Sequence, residues 1–295
     1  MKDYKALLDE KGIVISDGAW GTELAKMGLE VGDAPEQFNL EHPETVQKVA
    51  EAYVEAGSEI ILTNSFGGSP YKLQKVGLGD EVETVNRTAA ELSREAAGED
   101  ALVFASVGPT GEFLEPLGLI AEEAMIEAFA QQISALAAGG ADAILIETMS
   151  DLGEAKAALK AVRDVTDLPA VVSMTFEQGA KELATMMGVK PAEAAQQITE
   201  AGADIVGSNC GGGIEQIIDV ITLMAPETDR PVWAKPNAGL PELVDGEAVF
   251  KETPEEMAAH FEELVEAGAD FIGGCCGTTP DHIRLFVQRR NCLQE

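Results

Sequence analysis

The chain is poor in the residues on which many binding sites depend. Its 295 residues include three histidines, two tryptophans and four cysteines. Four cysteines are too few for a disulfide scaffold; in a cytosolic chain a small set is more often metal-binding or catalytic. Basic residues are scarce as well, with 20 Lys and Arg against 52 Asp and Glu and a net charge of −32. That excess repels phosphate backbones and argues against a nucleic-acid partner. Its plainest role is solubility, with a basic partner or a salt-rich cytoplasm as the alternatives. No apolar run reaches the roughly 18–20 residues of a membrane helix. The start, Met1-Lys2-Asp3-Tyr4-Lys5, is charged and leads into no apolar signal region. A cytoplasmic protein without a membrane partner is the expectation. Linkers and low-complexity stretches are missing, and so is a G-x-G-x-x-G after the first apolar run, which argues against a doubly wound dinucleotide-binding sheet.

What the chain does have is a rhythm. Short runs rich in Val and Ile, at 13–17, 59–64, 102–107, 143–147, 170–175, 205–209, 232–236 and 271–275, alternate with longer amphipathic segments. Most runs are continuously apolar, as parallel strands buried on both faces require. The spacing predicts helices over 43–56, 122–138, 152–165, 191–201 and 254–267, several with Pro at or near the first position. One phrase recurs: Ala56-Gly57-Ser58-Glu59, Ala201-Gly202-Ala203-Asp204 and Ala267-Gly268-Ala269-Asp270, with Ala138-Gly139-Gly140-Ala141-Asp142 one residue longer. Each reads as a helix stop, a turn and the start of a strand. Eight such units in about 280 residues predict an α/β fold, a single-domain (β/α)8 TIM barrel over residues 1–295.

Active sites of such barrels lie at the C-terminal ends of the strands. That end collects the unusual residues: Asp17-Gly18-Ala19-Trp20, Thr63-Asn64-Ser65-Phe66, Glu147-Thr148, Asn209-Cys210-Gly211, Pro236-Asn237-Ala238-Gly239 and Gly274-Cys275-Cys276-Gly277. The opposite end carries only turns. This asymmetry is the sequence-internal sign of an enzyme. Three thiolates, Cys210, Cys275 and Cys276, suit one zinc ion, and three protein ligands leave a position open for substrate. Two readings stay open on spacing alone. Buried cysteines also behave as small apolar groups, and adjacent cysteines are unlike the usual C-x-x-C, although flanking glycines let the backbone fold tightly round an ion. Cys292, in the C-terminal tail, reads as a bystander. His42, His260 and His282 lie at surface or helix-end positions, away from the strand tips. Glu147 ends an apolar strand and needs a partner, either a substrate ammonium or a basic side chain. Asp17, Gly18 and Ala19 offer backbone N–H groups to a carboxylate.

Gly273-Gly274-Cys275-Cys276-Gly277-Thr278-Thr279-Pro280 resembles the signature of the homocysteine S-methyltransferase family. Asn209-Cys210-Gly211 is similar to its other zinc-ligand motif, and Asp17-Gly18-Ala19-Trp20-Gly21-Thr22-Glu23 to its first-strand motif. Thr63-Asn64-Ser65-Phe66, Gly108-Pro109-Thr110-Gly111, Glu147-Thr148 and Pro236-Asn237-Ala238-Gly239 fit in order, so the resemblance covers essentially the whole chain. It is closest to the homocysteine domain of cobalamin-dependent methionine synthases. It implies zinc on Cys210, Cys275 and Cys276, Glu147 and Asn237 near the substrate amino group, and Asp17, Gly18, Ala19 and Asn64 around the substrate. Two positions depart: Ala50 stands where the family usually has His, and Trp20 where a smaller ring or an aliphatic chain is common.

The resemblance implies methyl transfer to the homocysteine thiolate, giving methionine, from a methylated corrinoid held on a separate protein. The alternative runs the other way, demethylating a small donor such as an aromatic methyl ether onto a reduced corrinoid protein. A zinc-binding barrel without catalysis is the third reading.

Overall fold

The computed structural model describes residues 3–30, 32–179, 182–244 and 247–294. Eight parallel strands form one sheet: Val14–Ile15, Ile60–Leu62, Leu102–Val107, Ala143–Met149, Ala170–Met174, Ile205–Cys210, Val232–Pro236 and Phe271–Ile272. Each pairs with its sequence neighbours, and the first pairs with the eighth through Val14↔Phe271 and Ile15↔Ile272. A parallel bridge, Ser16↔Ile60, joins the first strand to the second and closes the ring. The strands are numbered one to eight below. The expected (β/α)8 barrel is the observed fold.

Alternation along the strands separates two environments. Residues of one parity, such as Ile15, Ile61, Val103, Ile144, Ile146, Val172, Val206 and Ala234, pack outward against helices. Residues of the other parity fill the barrel: Val14, Ile60, Leu62, Leu102, Phe104, Ala143, Leu145, Val171, Ile205, Trp233 and Phe271. The helix Tyr4–Lys11 stoppers the bottom, sending Tyr4 and Leu7 into this interior cluster. Further up the same parity turns polar, with Ser16, Ser106, Glu147, Ser173, Asn209 and Lys235 all buried.

The recurrent Ala-Gly phrase has a second purpose that its turn does not reveal. Its acidic residue, at the start of each even strand, accepts a backbone N–H from the strand before it. Glu59 takes Ile15 N at 2.9 Å, Asp142 takes Val103 N at 2.8 Å, Asp204 takes Ala170 N at 2.9 Å and Asp270 takes Val232 N at 2.7 Å. Arg290, Arg94 and Arg163 pair with the first three of these carboxylates.

The expected helices form, with local differences. The segment expected as one helix over 254–267 divides into Pro254–Ala259 and Phe261–Glu266, because His260 takes a non-helical φ −93°, ψ 2° and its N–H tightens onto Met257 O. The eighth strand stops at Ile272 rather than 275, since Gly274 N turns to Asp17 O. The fourth runs on to Met149 through a register shift after Ile146, with Thr148 at φ 59°. Such a bulge re-aims side chains at a barrel rim. Two short hairpins, Glu177–Gln178 with Leu183–Ala184 and Glu242–Val244 with Glu247–Val249, decorate the loops after strands five and seven. No described helix is long and apolar enough to cross a membrane.

Candidate active site

Strands six and eight bring their tips together across the seventh. Cys210 closes the sixth strand in a left-handed conformation (φ 66°), followed by Gly211 at φ 74°. Two consecutive positive φ values turn the chain sharply, and only the glycine accepts that without strain. The turn is fastened by Asn237, whose Nδ2 donates to Gly211 O at 2.8 Å and lies 3.7 Å from Cys210 Sγ. Across the gap, Cys275 N donates to Pro236 O at 2.7 Å, and Thr278 Oγ1 donates to Cys275 O at 2.7 Å. Ala238 N donates to Cys276 O.

The result is that the sulfurs of Cys210, Cys275 and Cys276 lie within 4.8 Å of one another. Bonds of about 2.3 Å to a tetrahedral ion separate thiolate ligands by ~3.8 Å, so the cluster has the right scale for three ligands of one thiophilic cation. The electrostatics agree. Hydrogen bonds from the Cys275 and Cys276 thiols pull Cys210 down to about 3. The same contact with Cys210 pushes Cys276 up to about 12 and raises Cys275 too. Crowding sets the three thiols against one another, and a cation would favour the ionised form of all three. Cys292 is exposed on the last helix, outside the cluster.

The cluster opens into a cavity of about 780 Å³. Its walls include Gly18, Ala19, Trp20, Asn64, Ser106, Glu147, Thr148 and Lys235, and it reaches outward past Phe66, Lys72, Lys75 and Phe250. Glu147 is buried at the inner end. Ser106 Oγ donates to its Oε1, and Asn209 Nδ2 donates to its Oε2 at 3.3 Å. Burial pushes its carboxyl above the ordinary range, opposed by Lys235 and the Ser106 hydrogen bond. No ion pair involves Glu147 among the described residues; the nearby ammonium, Lys235, is bonded to Asp17 at 2.6 Å.

The remaining expected residues sit differently. Asp17 is fully buried and accepts three hydrogen bonds, from Lys235 Nζ, Leu62 N and Trp20 Nε1. It braces the mouth from below, and Gly18 and Ala19 form the wall. Asp17 N is already bonded to Ile60 O, and Ala19 N to Thr278 Oγ1, so two of the three amides expected to receive an anion are taken. The Asn64 amide turns to Pro35 O and Asn39 Oδ1, leaving its residue on the wall with its donors engaged. Asn237 stands behind Cys210, its Oδ1 buried without a partner. The departures have local explanations. Ala50 is fully buried in the helix–barrel core, and Trp20 uses its indole N–H on Asp17. His282, expected at a helix end, is there but buried, between Thr279 and Glu252 O.

Residues whose roles the sequence did not disclose are Lys235, Ser106 and Asn209. Asn209 Oδ1 accepts from Thr148 N and Ser173 Oγ, and its Nδ2 donates to Thr148 Oγ1 at 2.7 Å. It couples the Glu147 bulge to the cysteine strand. The signal was parity: each is a polar residue at an inward position of an otherwise apolar strand.

Residues 14–289 match the family model described as homocysteine S-methyltransferase. Two proteins named methionine synthase, from Mycobacterium leprae and Mycobacterium tuberculosis, are 31% and 30% identical over 290 residues. Those alignments cover 92% of this chain but 24% of each relative, so the chain spans about a quarter of their length. The metallated homocysteine methyltransferase MmuM of Escherichia coli superposes with a TM-score of 0.82 at 25% identity, covering 97% of this chain and 99% of that one. By sequence and by fold, the chain belongs to the homocysteine S-methyltransferase family.

Proposed function

We propose that the chain transfers a methyl group to the thiolate of homocysteine, giving methionine, with zinc held by Cys210, Cys275 and Cys276. The observation that carries this is the convergence of three sulfurs on the wall of a cavity that also holds an unpaired carboxylate, Glu147. Bound zinc would supply the positive charge that keeps a substrate thiol deprotonated at neutral pH. That the neighbour MmuM is known in a metallated form supports a metal in this fold.

The protein's own groups do the rest. Cys210, Cys275 and Cys276 would hold the ion, and a set of three protein ligands would leave it open to a substrate sulfur. Glu147 receives the substrate ammonium; a buried carboxylate gains most from a cation that completes its hydrogen bonds. Ser106 and Asn209 fix its two oxygens. The free Oδ1 of Asn237, behind Cys210, supports a second acceptor for the same ammonium. The Gly18–Ala19 wall borders the amino-acid end, with Asp17 and Asn64 holding that wall in place. Trp20 and Phe250 add aromatic surface to the cavity wall.

A methylated corrinoid is the donor we favour, supported by the likeness to proteins named methionine synthase, of which this chain matches about a quarter. The test is methylcobalamin demethylation by zinc-loaded protein, with and without homocysteine. Homocysteine-dependent cobalamin release with methionine formed is the expected result. No methionine from folded, zinc-loaded protein overturns it and turns attention to methyl ethers with a reduced corrinoid acceptor.

A further inference from the structure

The outer part of the cavity carries charges of both signs, with Asp33 and Glu36 on its lining as well as Lys72 and Lys75. Lys72 lies on the short helix Pro70–Lys75, which follows the second strand and so stands across the mouth from strand six. It lines the cavity together with Phe66 and Lys75. Its ammonium sits 4.7 Å from the centroid of the Phe66 ring. Phe66 in turn packs against Gly108, where even a Cβ would meet the ring at 2.5 Å, so the ring cannot retreat. Lys75 pairs with Glu112 at 2.8 Å, whereas Lys72 forms no ion pair among the described residues.

Its acidic neighbours are engaged elsewhere. Glu36 Oε1 accepts Gly67 N, and Glu154 Oε1 accepts both Thr110 N and Thr110 Oγ1. Burial raises both carboxyls, and each still acts on Lys72 through space without forming an ion pair with it among the described residues. Burial lowers Lys72, against the opposing pull of Glu36 and Glu154. An ammonium has three donors, and one ring face satisfies little of that capacity.

We infer that this end of the cavity receives an anionic group, a carboxylate or a phosphate, carried by the molecule that shares the pocket with the thiol. The inference builds on the reading of the cysteine end as the thiol site. It has a corollary for specificity. A sulfonium or quaternary ammonium seeks an aromatic face; at Phe66 it would meet the Lys72 ammonium, whereas Trp20 and Phe250, also on the wall, have no lysine over their rings among the described residues.

The test is competitive amine labelling of the whole protein, read by mass spectrometry, with inorganic phosphate, acetate or trimethylsulfonium present. Exposed Lys48 is the internal control. It needs neither zinc nor turnover, so its outcome is independent of the methyl-transfer reading. The expected result is a fall of about tenfold in Lys72 labelling once an anion exceeds its dissociation constant tenfold, with Lys48 unchanged. Protection by phosphate alone identifies a phosphoryl ligand, and by acetate alone a carboxylate. Equal labelling of Lys72 and Lys48 under both anions overturns the inference, as does protection by trimethylsulfonium. Anion binding by calorimetry should vanish in Lys72→Met and persist in Lys72→Arg; retention in Lys72→Met refutes the assignment.

Discussion

Trp233 and Lys235 stand two residues apart on one strand and face the same barrel interior, yet they live under different rules. Trp233 stacks on Phe104 at 5.8 Å between ring centroids and belongs to the apolar floor. Lys235 meets Asp17 in an ion pair that is 2% and 0% exposed. Below the level of Lys235 the interior is filled by shape; above it, by charge and hydrogen bonds. The floor converts burial into stability. The mouth gives some of that up to hold polar groups where a ligand will meet them. The even strands show both tasks at their two ends: acids at the start staple the preceding strand, and Asn64, Glu147, Cys210 and Cys275 lie at or just past the finish.

The sharpest way to separate the two regions is Cys275→Ser. Zinc content should fall to near zero and methyl transfer by at least ~10³-fold, with the melting temperature little changed, because the residue does not support the floor. Retained zinc and activity would break the comparison outright. Trp233→Ala should do the converse, destabilising by about 3–5 kcal/mol in denaturant titration while the folded fraction still binds metal. Lys235→Met tests the border between them. It strands the Asp17 carboxylate, and a loss of about 3–5 kcal/mol is expected, partly recovered by adding Asp17→Asn. A neutral Lys235→Met would mean that water already solvates Asp17.

Smaller effects refine the picture. Glu147→Gln should lower kcat/KM for homocysteine by roughly 10- to 100-fold, carried by KM, if the carboxylate meets the substrate ammonium. A pure kcat effect would move Glu147 from binding to chemistry. At the floor, burial raises Asp270, whose carboxylate, unlike those of Glu59, Asp142 and Asp204, forms no ion pair among the described residues. A raised carboxylate contributes stability that is fully present below its unfolded pKa and lost as pH rises through the folded value. Asp270→Asn can still accept Val232 N. Its melting temperature relative to the parent should therefore climb as pH rises above about 4. A flat difference would show that solvent screens Asp270.

The barrel was legible because apolar runs and Pro/Gly punctuation are local signals, repeated along the chain. Strands three, five, six and seven fall within one residue of expectation; the first, second and eighth end two or three residues early and the fourth runs two residues on, the eighth because Gly274 N turns to Asp17 O. The cysteine set was visible too, since thiols are rare here and fall at strand tips. What stayed hidden was anything depending on a partner far along the chain. Lys235 looked like one polar residue in an apolar strand until Asp17, 218 positions away, came beside it. The backbone amides of Asp17 and Ala19 looked free until Ile60 and Thr278 claimed them. A motif names the residues of a site but not which of their atoms are already bonded.

The closure of the ring also sets an order of events. Cys210 comes from the sixth strand and Cys275 from just beyond the eighth, so the three sulfurs meet only after the last strand has docked between the first and the seventh. Pairing of that sequence separation is slow relative to local helix formation. The cluster is therefore a clock for folding: metal uptake during refolding should lag the return of helical signal and coincide with the final step. A chain that held an ion on all three sulfurs would, by that fact, have completed its barrel.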